Sequence, residues 1–211
     1  MALSVDWYFD FVSPFSYICL HRLEKLQEQV CVEVSYKPVL FAGLLNHWGQ
    51  KGPAEIPAKR RWTYRWCTWW AKELGIAFRF PAEHPFNPLA HLRLALACDS
   101  RPDAVKRIFE ALWMSGANAN DPAMLHALCG ELDVDPARLA TEGIKASLRR
   151  NTEAAAAKGV FGVPSFVAHG EVFWGADAVE FLKAFIADEA VLHNDEMRRV
   201  DTLPVGAARK S

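Results

Sequence analysis

Two serines stand three residues apart in the segment FVSPFSY, at positions 13 and 16. Ser13 directly precedes Pro14 and an amphipathic run, an arrangement typical of a helix N-cap with proline in the first turn. The unpaired N–H groups at a helix N-terminus favour a bound anion, and a serine hydroxyl can donate a hydrogen bond to it. The segment therefore predicts either a helix cap alone or a cap that also binds an anionic group.

Two further motifs in the C-terminal part of the chain offer backbone groups to a ligand. Gly162-Val163-Pro164 lies between a glycine-rich turn and a run typical of a strand, and we expect its X-Pro bond to be cis. Trp174-Gly175-Ala176-Asp177 opens the last predicted helix, where free N–H groups bind carboxylates. Asp177 is either a partner for an ammonium group or a helix cap.

The elements that position these motifs form a β-α-β beginning and a β-β-α end. Alternating apolar residues indicate strands, and runs with helical periodicity indicate helices. The predicted order is a strand at 3–11, a helix at 15–29, a strand at 30–39, strands at 165–168 and 171–174, and a helix at 175–186.

A long stretch between these ends breaks the pattern. Glycine and proline predict a loop at 43–57, and the helices predicted after it lie at 58–74, 88–98, 102–114, 122–132 and 136–157. The predicted fold class is therefore α/β, a thioredoxin-like fold with an inserted all-helical domain. The predicted domains are 1–44 with 158–187, the insertion at 45–157, and a loose C-terminal tail at 188–211.

The serine pair occupies the place where thioredoxin-like redox enzymes carry a reactive Cys-x-x-Cys. Serine cannot exchange disulfides, so Ser13 is predicted to donate a hydrogen bond to the thiolate of another molecule. The five cysteines, at 19, 31, 67, 98 and 129, form no C-x-x-C. They indicate neither a disulfide framework nor a zinc site, and we predict that none is catalytic.

Composition narrows the remaining function classes. The chain has 211 residues, of which 51% are apolar and 23% charged, and its formal net charge is -1. These values are typical of a soluble globular protein and provide no basic field for nucleic acid. Without a run of about 18 apolar residues or a basic leader, we expect no membrane span and a cytoplasmic location.

Several segments together resemble one enzyme family. They are YFDFVSPFSY near the start, GVFGVPSF near residue 160 and FWGAD near residue 174, with FPAEHPFNPLAHLR at 80–93 as a fourth. On these motifs the chain resembles the 2-hydroxychromene-2-carboxylate isomerases, a group that includes kappa-class glutathione transferases and is related to DsbA. The resemblance runs from about residue 5 to residue 186.

The resemblance implies glutathione as cofactor, with Ser13 as the catalytic residue at its sulfur. The implied cofactor-binding residues are Ser13, Val163, Pro164, Trp174, Gly175, Ala176 and Asp177. Relatives often carry Asn or Ser and then Asp-Arg after the glycine, whereas this chain has Ala176 and, after Asp177, Ala178. Backbone contacts to the tripeptide are compatible with both changes.

The implied reaction converts a hydroxychromene carboxylate into trans-o-hydroxybenzylidenepyruvate, in aromatic-hydrocarbon breakdown, by reversible addition of glutathione thiolate to a conjugated carbon. Lys51, Asn87 and Arg93 are candidates for the substrate, with ordinary structural or solvated roles as the alternative. The resemblance also implies a homodimer. Two other functions remain open: a kappa-type transferase or peroxidase with the same site, and a glutathione-binding protein without turnover.

Overall fold

The computed structural model describes residues 3–207 and contains a four-stranded sheet. Its strands are β1 (Leu3–Phe9), β2 (Val32–Pro38), β3 (Ser165–Ala168) and β4 (Glu171–Trp174), in the order β2-β1-β3-β4. β1 and β2 are parallel, whereas β3 is antiparallel to both β1 and β4. The predicted thioredoxin-like fold, with a β-α-β beginning and a hairpin followed by a helix, is confirmed.

Helices surround this sheet. Helix α1 (Pro14–Gln29) connects β1 to β2, and α8 (Val179–Ala187) follows the hairpin. Between β2 and β3 lie α2 (Phe41–Trp48), α3 (Pro57–Glu73), α4 (Leu89–Ala97), α5 (Pro102–Trp113), α6 (Pro122–Glu131) and α7 (Glu142–Ala157). Helix α9 (Asp195–Asp201) comes last, and 3-10 turns lie at Pro53–Glu55, Pro136–Ala140, Ala176–Ala178 and Glu189–Leu192.

Strand β1 is buried on both of its faces near its C-terminal end. Its side chains alternate between the faces, so Trp7 and Phe9 join the main core while Tyr8 packs in a second core with Val167 and with Ala155 of α7. Helices on both faces of the sheet therefore fix the position of the C-terminal end of β1. Ser13 follows this end in the next turn.

An aromatic cluster joins the sheet to the inserted helices. The ring centroid of Phe109 in α5 lies 5.6 Å from that of Phe9 and 4.5 Å from that of Phe11. Trp113, one turn further along α5, stacks on Phe78 at 5.5 Å. Aromatic pairs at these spacings add stabilisation beyond the apolar area they bury. The sheet and the insertion consequently share one hydrophobic core, and the predicted division into domains stays a prediction.

The loop predicted at 43–57 is wrong over its first part, because α2 begins at Phe41 and continues to Trp48. Gly43 lies inside this helix, and a Cβ at this position would lie 3.0 Å from Cγ2 of Thr152 on α7. The glycine therefore permits a close approach of two helices rather than a break in one.

One further helix prediction needs correction. The helix predicted at 136–157 is interrupted at Thr141, which separates the 3-10 turn from α7. The tail predicted as loose contains helical turns at Glu189–Leu192 and Asp195–Asp201. Nδ1 of His169 lies 2.6 Å from Oε1 of Glu189, and the looseness of the tail stays a prediction. Residues 208–211 of that tail lie outside the described residues. Within 3–207, no helix has the length and apolarity needed to cross a bilayer.

His91 on α4 is a polar residue inside the core. Its exposed fraction is 2%, and neither ring nitrogen has a hydrogen-bond partner among the described residues. Burial lowers the pKa of His91 to about 4, because charging an unpartnered ring in an apolar environment is unfavourable.

We expect His91→Leu to make the protein less sensitive to acid. The neutral buried ring contributes stability that is fully present above pH 6.5 and is lost as the pH falls through about 4. The free energy of unfolding of the wild type, minus that of the variant, should therefore fall by about 3 kcal/mol between pH 7 and pH 4. Urea unfolding across this range measures the difference, and a constant difference would contradict a neutral buried His91.

Candidate functional site

A cavity of about 420 Å³ opens beside the turn between β1 and α1. We call it the Ser13 cavity, and its wall is mainly apolar and aromatic. Four of the residues singled out in the sequence line it: Ser13, Lys51, Val163 and Trp174. The structure thus brings together residues up to 161 positions apart in the chain, counted from 13 to 174.

Ser13 is the N-cap of α1, as predicted. Its Oγ accepts a hydrogen bond from the Ser16 amide at 3.2 Å and lies 3.4 Å from the carbonyl oxygen of Val163. The second distance is long for an O–H···O bond, so the Ser13 hydroxyl proton is only weakly engaged. A buried hydroxyl that accepts from an amide and donates only a long hydrogen bond to a carbonyl can turn its proton to an anion in the cavity.

The neighbouring Ser16 has a different environment. Its side chain is fully buried, and its Oγ has no hydrogen-bond partner among the described residues. Ser16 does not line the Ser13 cavity. Only the first hydroxyl of the serine pair is therefore placed for ligand contact.

The Val163–Pro164 peptide bond is cis, which confirms the sequence prediction. Within residues 3–207, the Val163 amide donates no hydrogen bond, although the carbonyl of Pro164 accepts one from the Gly175 amide at 2.9 Å. A free backbone amide on a cavity wall can pair with an extended peptide, as an edge strand does.

Trp174 forms part of the cavity wall beside Gly162. A Cβ at position 162 would lie 2.6 Å from the indole Nε1, so a side chain at this position would displace the indole. Trp174 is 56% exposed, and its ring lies 5.1 Å from that of Phe161. An indole that is half open to solvent beside an apolar wall provides a surface for a ligand.

The rest of the C-terminal motif flanks the cavity without lining it. Ala176 is 1% exposed and belongs to the core. Gly175 has φ 103, and a side chain there would collide with the Asp177 carboxylate. Asp177 itself is exposed. Pro164 and these three residues are therefore adjacent to Val163 and Trp174, outside the cavity wall.

Two of the three candidate substrate residues lie elsewhere. Oδ1 of Asn87 accepts from the Leu89 amide at 3.1 Å, a local bond in the turn that precedes α4. Arg93 of α4 lines a second cavity of about 410 Å³, together with Lys145 and Arg149 of α7. Of the three candidates, the structure brings only Lys51 to the Ser13 cavity.

Asp10 was missed by sequence reasoning. Its side chain is fully buried and lines the Ser13 cavity. Oδ1 accepts from the Val12 amide at 3.0 Å and Oδ2 from the Phe41 amide at 2.8 Å. Burial raises the pKa of Asp10 to about 7, although hydrogen bonds from backbone amides oppose the rise.

Tyr64 of α3 and His84, in the segment between α3 and α4, also line the cavity and were missed. The Tyr64 hydroxyl lies 2.5 Å from Nδ1 of His84. No sequence spacing links residues 10, 64 and 84. The histidine stands inside the quoted stretch at 80–93, which was the only signal for it.

The cysteines lie apart from this site. Cys19, Cys67, Cys98 and Cys129 are buried, Cys31 is exposed, and all five are free thiols. Burial raises the pKa of Cys67 to about 12 and also raises the pKa of Cys19. A thiol with a raised pKa is a poor nucleophile, which favours the prediction that the chain's own thiols are not catalytic.

The chain is similar to a described family and to several known proteins. Residues 4–187 match the family model described as a DSBA-like thioredoxin domain. A 2-hydroxychromene-2-carboxylate isomerase from Pseudomonas putida is 30% identical over 188 residues, which cover 85% of this chain and 92% of the relative. A kappa 2 glutathione transferase from Caenorhabditis elegans is 25% identical over 206 residues, covering 87% and 92%.

A solved structure of 2-hydroxychromene-2-carboxylate isomerase shares the fold. It superposes with a TM-score of 0.77 at 24% identity, over 92% of this chain and 99% of the other.

We expect Asp10→Asn to remove one pH dependence of stability. The protonated carboxyl contributes stability that is fully present below pH 3.8 and is lost as the pH rises through about 7. The free energy of unfolding of the wild type, minus that of the variant, should thus fall by up to about 4 kcal/mol from pH 4 to pH 8. Chemical unfolding measures it, and a difference that rises with pH would show a carboxylate stabilised by its amide partners.

Proposed function

From the premise that the chain belongs to the DSBA-like thioredoxin family, within the group of 2-hydroxychromene-2-carboxylate isomerases and kappa-class glutathione transferases, we propose that it is a glutathione-dependent isomerase. The observation that carries the proposal is the Ser13 hydroxyl, buried in the cavity wall with its proton only weakly engaged. A hydroxyl of this kind can stabilise a thiolate that the protein itself does not provide.

The cavity residues fit glutathione. The free Val163 amide would pair with the peptide backbone, and the exposed Trp174 indole would cover it. Gly175, Ala176 and Asp177, beside the cavity, are the proposed contacts for the ends of the tripeptide. When bound, glutathione would supply a thiolate able to add reversibly to a conjugated carbon of the substrate.

The energetics of Ser13 are sufficient for this role. An ordinary thiol has a pKa near 8.5, and lowering it by about 2 requires about 2.7 kcal/mol. A hydrogen bond to a charged group contributes about 1.5–3 kcal/mol, and the N-terminus of α1 adds about 0.3–1 kcal/mol. Ser13 and α1 can thus maintain a thiolate near neutral pH without a buried cation.

The wall of the cavity supports an aromatic, anionic substrate. Lys51 is the predicted partner for its carboxylate, and the aromatic side chains of the wall provide apolar contact: Phe15, Phe41, Phe86, Phe161 and Trp174. A hydroxychromene carboxylate combines one carboxylate with a bicyclic apolar body of suitable size for about 420 Å³. We therefore propose that the reaction belongs to the breakdown of aromatic hydrocarbons.

A kappa-type transferase or peroxidase is the second candidate, supported by the kappa-class relative. It would use the same Ser13 cavity with an electrophile or hydroperoxide as second substrate. Turnover of 2-hydroxychromene-2-carboxylate, compared with a panel of electrophiles and hydroperoxides, separates the two. Glutathione binding without turnover of any of them would leave a binding protein.

A homodimer in the cytoplasm completes the proposal. The resemblance motivates the dimer, and the free cysteines suit a reducing compartment. Light scattering on the purified chain measures its oligomeric state, and a monomer at micromolar concentration would remove this part of the proposal.

We expect Ser13→Ala to raise the thiol pKa of bound glutathione by about 1–2, because about 1.5–3 kcal/mol of thiolate stabilisation is lost. Turnover at pH 7 should fall about tenfold or more, while most of the glutathione affinity persists. Thiolate absorbance against pH and kcat are the measurements.

Ser16→Ala is the matched control, since it removes a neighbouring hydroxyl that does not line the cavity. It should leave the thiol pKa unchanged. An unchanged thiol pKa and kcat in Ser13→Ala would reduce Ser13 to a helix cap and refute the proposed chemistry.

A further inference from the structure

The Ser13 cavity contains a pair of titratable groups, Tyr64 and His84, that the proposed chemistry has not used. The Tyr64 hydroxyl oxygen lies 2.5 Å from Nδ1 of His84 and 2.9 Å from the carbonyl oxygen of the same histidine. On the other side of the ring, Nε2 lies 2.7 Å from the carbonyl oxygen of Val12, the residue before Ser13.

These contacts fix the proton positions on His84. A carbonyl oxygen only accepts, so Nε2 must carry a proton and donate it to Val12. In the neutral ring Nδ1 then has a lone pair, and the Tyr64 hydroxyl donates to it. In the charged ring Nδ1 donates to the Tyr64 oxygen, and the Tyr64 hydroxyl donates to the carbonyl of His84 instead.

Both protonation states therefore leave every polar atom of the two side chains with a partner. The change from one state to the other requires only that the Tyr64 hydroxyl proton turn from Nδ1 to the neighbouring carbonyl. A buried polar group normally loses a partner when its protonation changes, which is costly. This pair avoids that loss of a partner, and so it can hold one additional proton with only a rotation of the Tyr64 hydroxyl.

The surroundings favour the neutral form at rest. Burial lowers the pKa of His84, the hydrogen bond to Val12 raises it, and the charge of Arg60 lowers it further. The rings of Phe80, Phe86 and Trp113 lie at 5.4 Å, 6.2 Å and 5.5 Å from the imidazole. The titratable and charged groups on the elements around it are Asp10, Lys51, Glu55, Lys59, Arg60 and Tyr64.

We propose that Tyr64 and His84 form the acid–base pair of the Ser13 cavity, with Tyr64 as the catalytic residue and His84 as the residue that stores the proton. The inference rests on the proposed isomerase function, which requires a proton to be removed and later returned.

The proposed proton transfer is balanced. An acidic group bound in the cavity passes its proton to the Tyr64 oxygen and keeps the electron pair, while the Tyr64 O–H breaks and its proton forms an N–H bond at Nδ1. The proton returns to a substrate oxygen along the same path in reverse. No oxidant, reductant or further reactant is needed.

Histidine NMR on the protein without ligands gives the first test. With 15N-labelled histidine, and His84→Gln to identify the signals, the ring should be neutral at pH 7 with its proton on Nε2. Tyr64→Phe should shift the Nδ1 resonance and the pKa of His84. A proton on Nδ1 with Nε2 unprotonated at pH 7, or a Tyr64→Phe spectrum identical to wild type, would overturn the pair.

Kinetics with glutathione and 2-hydroxychromene-2-carboxylate give the second test. Tyr64→Phe should lower kcat by about 10²-fold or more, while KM and the glutathione affinity change only a few-fold. Tyr8→Phe is the matched control, because it deletes the same atom from a tyrosine that bonds Asp6 and does not line the cavity. A kcat for Tyr64→Phe within threefold of the control would refute a catalytic Tyr64.

His84→Gln separates proton storage from a purely structural contact. The glutamine amide can still donate to the Val12 carbonyl but does not titrate. We expect kcat to fall and its dependence on the ionisation of His84 to disappear, whereas full activity with an unchanged pH profile would show that His84 only positions the turn. If the wild type has no turnover, the isomerase proposal fails, and the NMR titration alone decides the proton pair.

Discussion

The site depends on how the turn at residues 10–13 satisfies its polar backbone groups. Buried amides and carbonyls need partners, and this turn obtains several of them from distant side chains. The Trp113 indole donates to the carbonyl of Phe11 at 2.9 Å, and His84 donates to that of Val12 at 2.7 Å. The turn that presents Ser13 is thus built jointly by the sheet and by the inserted helices.

The insertion contacts the end of β1 through aromatic side chains as well as through these hydrogen bonds. Phe109 and Trp113 are fully buried on α5, and Phe109 contacts the aromatic side chains at the end of β1. Asp10 adds a second connection, because its carboxylate accepts from the first residue of α2 as well as from the turn. A change in the packing of α2 or α5 therefore directly affects the turn that presents Ser13.

Local patterns predicted a large part of the fold. The alternation of apolar residues predicted β1 and the hairpin, and the Ser-Pro pair predicted the start of α1. The glycine-rich turn before Val163-Pro164 predicted the cis bond. Each of these signals lies within a few residues of the feature that it predicts. Helix α2 was missed because its first amide is capped by Asp10, 31 residues earlier, which no local pattern reveals. The pairing of His84 with Val12 across 72 residues, and the placement of Arg93 in a different cavity, depend on tertiary packing in the same way.

The buried, partnerless hydroxyl of Ser16 has an evolutionary consequence. It stands three residues after Ser13, the spacing of the Cys-x-x-Cys motif of thioredoxin-like redox enzymes, yet the hydroxyl forms no hydrogen bond among the described residues. The backbone geometry of the turn does not depend on it. An oxygen or a sulfur at position 16 is therefore compatible with the same turn, so evolution can change the atom there while the scaffold and its cavity stay as they are.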